Sequence, residues 1–128
     1  AMCSNSFTEI RLEDKSGLTA IWVTLNSAFG WLHLELMGRK TLGGGMLKVD
    51  PIEYRHMPIL KPAFAQSDPP LLDREVGKIY DEIQQPDRRA LDNIVFDALG
   101  LTQGERDAVY EAVVELVEAR LKKAQSLK

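Results

Sequence analysis

Residues 86 to 121 constrain the fold more than any other stretch. Pro86 stands where a helix can begin, Leu91, Ile94, Val95, Ala98 and Leu99 follow at i, i+3, i+4, i+7 and i+8, and Gly100 stands where the helix must stop. Thr102-Gln103-Gly104-Glu105 has the spacing of a capping box, and Val109, Ala112, Val113, Leu116, Val117 and Leu121 line one side of the helix it opens. Arg120, Lys122 and Lys123 fall near its end, where the helix dipole favours cations. A further helix is predicted ahead of these two, capped by Asp68 and striped by Leu72, Val76, Ile79, Tyr80 and Ile83. The tail 67–128 therefore reads as a three-helix unit.

The front half is less uniform. Phe7 to Leu12 alternates with period two, the pattern of a short strand, and Glu13 to Gly17 turns the chain. Leu18 to Leu25 is apolar and bounded by Gly17 and the Asn26-Ser27 pair; a helix is expected, with a strand as the alternative because Ile21, Trp22 and Val23 are poor helix formers. Ala28 to Met37 sets Phe29, Leu32 and Leu36 at helical spacing, with Asn26 or Ser27 as cap and Gly38 as stop. Thr41 to Gly45 is too rich in glycine for regular structure, and Met46 to Val49 reads as a strand. Asp50-Pro51 opens a short helix that Pro58 closes. Four of the six prolines fall between 58 and 70, the natural seam of the chain. The expected class is α+β, one domain over 1–128, with a strand-and-helix part in 1–66 that carries the glycine loop and a helical tail in 67–128.

A chain of 128 residues is long enough for one ordinary hydrophobic core. Its formal charge of -3 excludes the strongly basic body of a free-standing nucleic-acid binder, so any such contact must be local. The charge is uneven. Residues 1–61 carry seven Lys or Arg and six Asp or Glu, whereas residues 62–128 carry nine and thirteen. The segment 38–61 is the most positive, with Arg39, Lys40, Lys48, Arg55 and Lys61 against Asp50 and Glu53. Phosphate would be drawn there and repelled by the tail. The single cysteine, Cys3, excludes an internal disulfide and a Cys-rich zinc site, which favours a reducing, cytoplasmic setting. Leu18 to Met37 is broken by Asn26, Ser27, His33 and Glu35, so no membrane span is expected.

Gly43-Gly44-Gly45 gives up backbone entropy that a plain turn would keep. A backbone without side chains can approach a phosphate or a base edge, with Arg39, Lys40, Lys48 and Arg55 supplying charge; a flexible hinge explains the run equally well. It is no P-loop, because Lys48 is not followed by Ser or Thr. Ser67-Asp68-Pro69-Pro70-Leu71 approaches the motif with which enzymes methylate base amino groups, but Leu71 stands where a stacking ring is required, and a helix cap is the better reading. His33 and His56 are too few and too far apart for a metal site. The carboxylates Asp73, Glu75, Asp81, Glu82, Asp87, Asp92 and Asp97 alternate with Arg and read as a solvated surface. No catalytic constellation emerges, so the chain alone is not expected to be an enzyme.

One combination is specific in its order. Leu25-Asn26-Ser27 precedes an apolar helix, then come Gly38-Arg39, Leu42-Gly-Gly-Gly-Met-Leu-Lys-Val49 and a short helix leading to Met57-Pro58-Ile59. Together with Pro86 to Leu101 and Glu105 to Arg120, this resembles the C-terminal, target-recognition side of adenine-specific DNA methyltransferases of restriction-modification systems. The family's cofactor glycine motif and its Asn or Asp-Pro-Pro-aromatic motif have no match in these residues. The resemblance implies a chain that positions DNA, through Arg39, Lys40, Gly43, Gly44, Gly45, Lys48 and Arg55, for a catalytic domain or subunit elsewhere. That partner would bind S-adenosylmethionine; no cofactor or metal is expected in this chain. The alternative is a protein-interaction module that docks a partner subunit through its acidic helical tail.

Overall fold

The structure is a computed structural model that describes residues 9–13, 17–40, 47–65 and 73–126. Among the described residues it is rich in helix: α1 (Leu18–Asn26), α2 (Ala28–Met37), α3 (Pro51–Arg55), α4 (Ile79–Glu82), α5 (Pro86–Leu99) and α6 (Gln103–Ser126). The strands are β1 (Arg39–Lys40) and β2 (Leu47–Lys48), a two-stranded antiparallel ribbon. The expected α+β class reduces to this helix-rich arrangement. Phe7 lies outside the described residues, and Glu9 to Leu12 are not in a strand; Arg11 instead turns back to the Glu9 carboxylate at 2.8 Å.

The open choice at Leu18–Leu25 resolves as helix. Tertiary contacts override the β-branched residues, because Ala20, Val23 and Thr24 are buried and the Thr24 hydroxyl donates back to the Ala20 carbonyl at 2.7 Å. The same hydroxyl accepts from the Leu60 amide at 3.0 Å, which ties the proline-rich segment to α1. Ser27 then works for two helices at once: its hydroxyl donates to Thr24 O at the end of α1 and accepts from Gly30 N at the start of α2. The elbow between them is tight enough that a Cβ on Gly30 would lie 2.2 Å from Thr24 O.

α5 and α6 form where their punctuation places them. Gly100 is left-handed at φ 68°, with Leu101 N bonded to Phe96 O and Gly100 N to Asp97 O, so α5 closes in a Schellman motif. The Thr102–Glu105 capping box is formed in both directions. The helix expected over Leu72 to Ile83 shrinks to Ile79–Glu82. Asp68 and Leu72 lie outside the described residues, Val76 is exposed, and Gly77 uses its amide to bond the Glu82 carboxylate instead of continuing a helix.

Two apolar clusters form the core, and both draw on each side of the proline seam. Ala28 joins Ile79, Ile83, Phe96, Tyr110, Val113 and Val117; Val23 joins Leu91, Ile94 and Val95. Leu99 and Leu121, expected in the stripes, are about half exposed, while Phe96 and Tyr110 take inner places edge to face, with ring centroids 5.7 Å apart. No helix among the described residues is long and apolar enough to cross a membrane.

Candidate functional site

The ribbon begins where α2 stops. A Cβ on Gly38 would lie 2.7 Å from Leu34 O and equally close to the Leu47 side chain, so only glycine lets the chain leave α2 with β2 packed against its end. The register sets Arg39 opposite Lys48 and Lys40 opposite Leu47. Three of the expected cations thus fall on one short ladder, whose strands are joined through 41–46. Gly43, Gly44 and Gly45 lie in that connection, outside the described residues.

Like charges directly opposite on a ribbon repel and destabilise it. Lys48 is exposed, and its Nζ lies 3.9 Å from Asp50 Oδ1, a loose surface contact of small value. Asp50 caps α3: its side chain accepts from Glu53 N, and the buried Glu53 carboxylate accepts from Asp50 N at 2.9 Å. Arg55, exposed in the last turn of α3, adds charge to the same stretch of chain without joining the ladder. The structure therefore places Arg39, Lys40 and Lys48 on one ladder, and Arg55 outside it.

A second constellation was not legible as such. Glu82 and Asp92, grouped above with solvated carboxylates, are both fully buried. Glu82 accepts from Arg74 Nη1 and Nη2 at 2.9 Å, from Arg88 Nε at 2.7 Å and from Gly77 N at 2.9 Å. Arg74 also forks onto Asp87, at 2.8 Å to each oxygen, and Arg88 donates to Asn26 O at 2.8 Å. Asp92 accepts from the Ala28 amide at 2.7 Å and from the Tyr110 hydroxyl, which locks α2, α5 and α6 together. Glu35, also buried, is held by Arg120 at 2.8 Å.

These contacts set the titration of each group. The Arg74 guanidinium, helped by Arg88 and the Gly77 amide, holds the Glu82 carboxyl down at about 2, and Arg74 does the same for Asp87. Burial pushes Asp92 up against its hydrogen-bond donors, and burial together with the neighbouring Asp92 pushes the Tyr110 phenol up. The buried carboxylates Glu82, Asp92 and Glu35 are each answered by another part of the chain, so the arrangement is a structural lock. The one signal for it in the sequence is Arg88 four residues before Asp92, on the face that Leu91 and Val95 mark as inner. His33 is half-buried, and its Nε2 has no hydrogen-bond partner.

Among the described residues no group of His, Cys, Asp and Glu could hold a metal ion. Compared with models of known families, with curated proteins and with solved structures, the chain matches none of them.

Proposed function

We propose that this chain is the DNA-contacting C-terminal part of an adenine-specific DNA methyltransferase, holding the duplex for a catalytic domain elsewhere. The observation that carries the reading is the register that sets Arg39 opposite Lys48, with Lys40 adjacent, at the root of the glycine-rich connection. Two cationic residues in register on a short ribbon would gain from a phosphate between them, and a connection containing Gly43, Gly44 and Gly45 would offer amides without side-chain obstruction. The acidic helices would turn the rest of the molecule away from the backbone of DNA, so the contact is weak and oriented. S-adenosylmethionine would be bound by the catalytic partner, as the resemblance implies. No transfer step is assigned to this chain.

Fluorescence anisotropy with a labelled duplex at two salt concentrations tests the reading. Binding is expected at the weak end of the non-specific range, about 10⁻⁴ to 10⁻⁶ M, with a shallow salt slope. Arg39→Ala with Lys40→Ala weakens it and flattens the slope, whereas Lys122→Ala with Lys123→Ala changes little. A larger effect from the Lys122 and Lys123 pair, or no binding at low salt, overturns the proposal.

A further inference from the structure

A groove of about 450 Å³ runs between α4 and α6 and shares no residue with the basic ribbon. Its floor is apolar, with Ile83 and Val114, and Tyr80 stands at its edge with half of its surface uncovered. Along one rim, Asp107, Glu111 and Glu115 occupy successive turns of α6, all exposed. Like charges at i, i+4 disfavour a helix. Asp107 receives only the Gln103 amide at 2.9 Å, and neither Glu111 nor Glu115 has an ion pair among the described residues. The one cation in the groove, Arg89, is already occupied: its guanidinium lies 3.9 Å from the Tyr110 ring centroid and donates to Ile83 O.

An apolar floor and a line of unneutralised carboxylates define their complement. Phosphate is repelled, and a small polyamine would satisfy the rim while leaving the floor wet. A segment with aliphatic side chains on one face and Lys or Arg beside them satisfies both, with one cation free to stack on Tyr80 as Arg89 stacks on Tyr110. We propose that the α4–α6 groove docks a basic amphipathic segment of a partner protein, with apolar side chains over Ile83 and Val114 and cations against Tyr80, Glu111 and Glu115.

The probe is a fluorescein-labelled synthetic peptide of Leu and Lys with leucines at i, i+3, i+4 and i+7, titrated with the whole chain. Saturable binding is expected, weakened about tenfold by Tyr80→Ala and by Glu111→Gln with Glu115→Gln, since an aromatic anchor and its facing charges carry such contacts. Asp73→Asn with Glu75→Gln removes the same charge outside the groove and is expected to leave binding unchanged. All these positions are exposed, and equal denaturation midpoints show that each variant is folded. Absence of saturable binding, equal loss in the Asp73 and Glu75 variant, or oligolysine of the same charge binding as tightly as the amphipathic peptide overturns the proposal.

Discussion

The ribbon and the α5 network both concentrate charge, and they dispose of it in opposite ways. Around α5 the arginines are consumed internally: Arg74 and Arg88 on Glu82 and Asp87, Arg106 on Asp97, and Arg120 on Glu35. On the ribbon, the register sets Arg39 opposite Lys48, and the exposed Lys48 makes a contact of 3.9 Å to Asp50. A negative total charge thus says little about what the molecule offers to an anion, because the acidic excess lies largely where cations already answer it or on the outer face of α6. Charge that is paired inside stabilises; exposed charge, as at Lys48, is available for binding.

The sharpest way to break this contrast is to remove a paired arginine. Arg88→Met leaves Glu82 with a buried charge short of one partner, and a loss of about 3 to 5 kcal/mol is expected from urea unfolding, the range for breaking a buried ion pair. A loss under about 1 kcal/mol would put the Arg88 contact in the class of weak surface pairs instead. Leu91→Ala, which empties a fully buried site beside Val23 and Ile94, is expected to cost about 2 to 5 kcal/mol, and Leu116→Ala less, because Leu116 is only half-buried.

Acid should dissolve the paired region first. Glu82 and Asp87 sit at about 2 in the folded chain, below their ordinary values of 4.5 and 3.8, so the stability they contribute is complete above about pH 4.5 and is lost as pH falls toward 2. Asp92 works in the opposite sense: burial raises it, so its protonation in acid relieves part of the folding cost. Stability followed by circular dichroism should fall across that window, and Glu82→Gln should flatten the dependence. The smallest effect belongs to the exposed cations of the ribbon and α3, where Lys48→Ala or Arg55→Ala should change stability by less than about 0.5 kcal/mol. A larger loss would mean that these side chains hold the fold and are not free to meet a ligand.

What the sequence made legible was local. Pro86, Gly100 and the Thr102–Glu105 box act within a few residues of themselves, and so does Ser27 at the α1–α2 elbow. The burial of Asp92 was not legible, because Tyr110 and the Ala28 amide, which answer it, are distant in the chain; that of Glu82 was not legible because its partners Arg74, Gly77 and Arg88, though near in sequence, follow no helical spacing. The segment 73–78 departs from the helix that its spacing suits because Arg74 and Gly77 are claimed by the Glu82 carboxylate. For the candidate site, the cations could be chosen from charge alone, whereas the register that sets Arg39 against Lys48 required the ribbon itself.

The bond from Ala28 N to Asp92 spans 64 residues of chain. The first turn of α2 therefore cannot complete its own hydrogen bonding until α5 has docked, and the entropy of closing that long loop is spent before the turn is secured. Local fraying of α2 and release of α5 become one event. The Ala28 amide should consequently exchange with deuterium only through global unfolding, at a free energy equal to the stability of the whole chain and well above that of the ribbon amides.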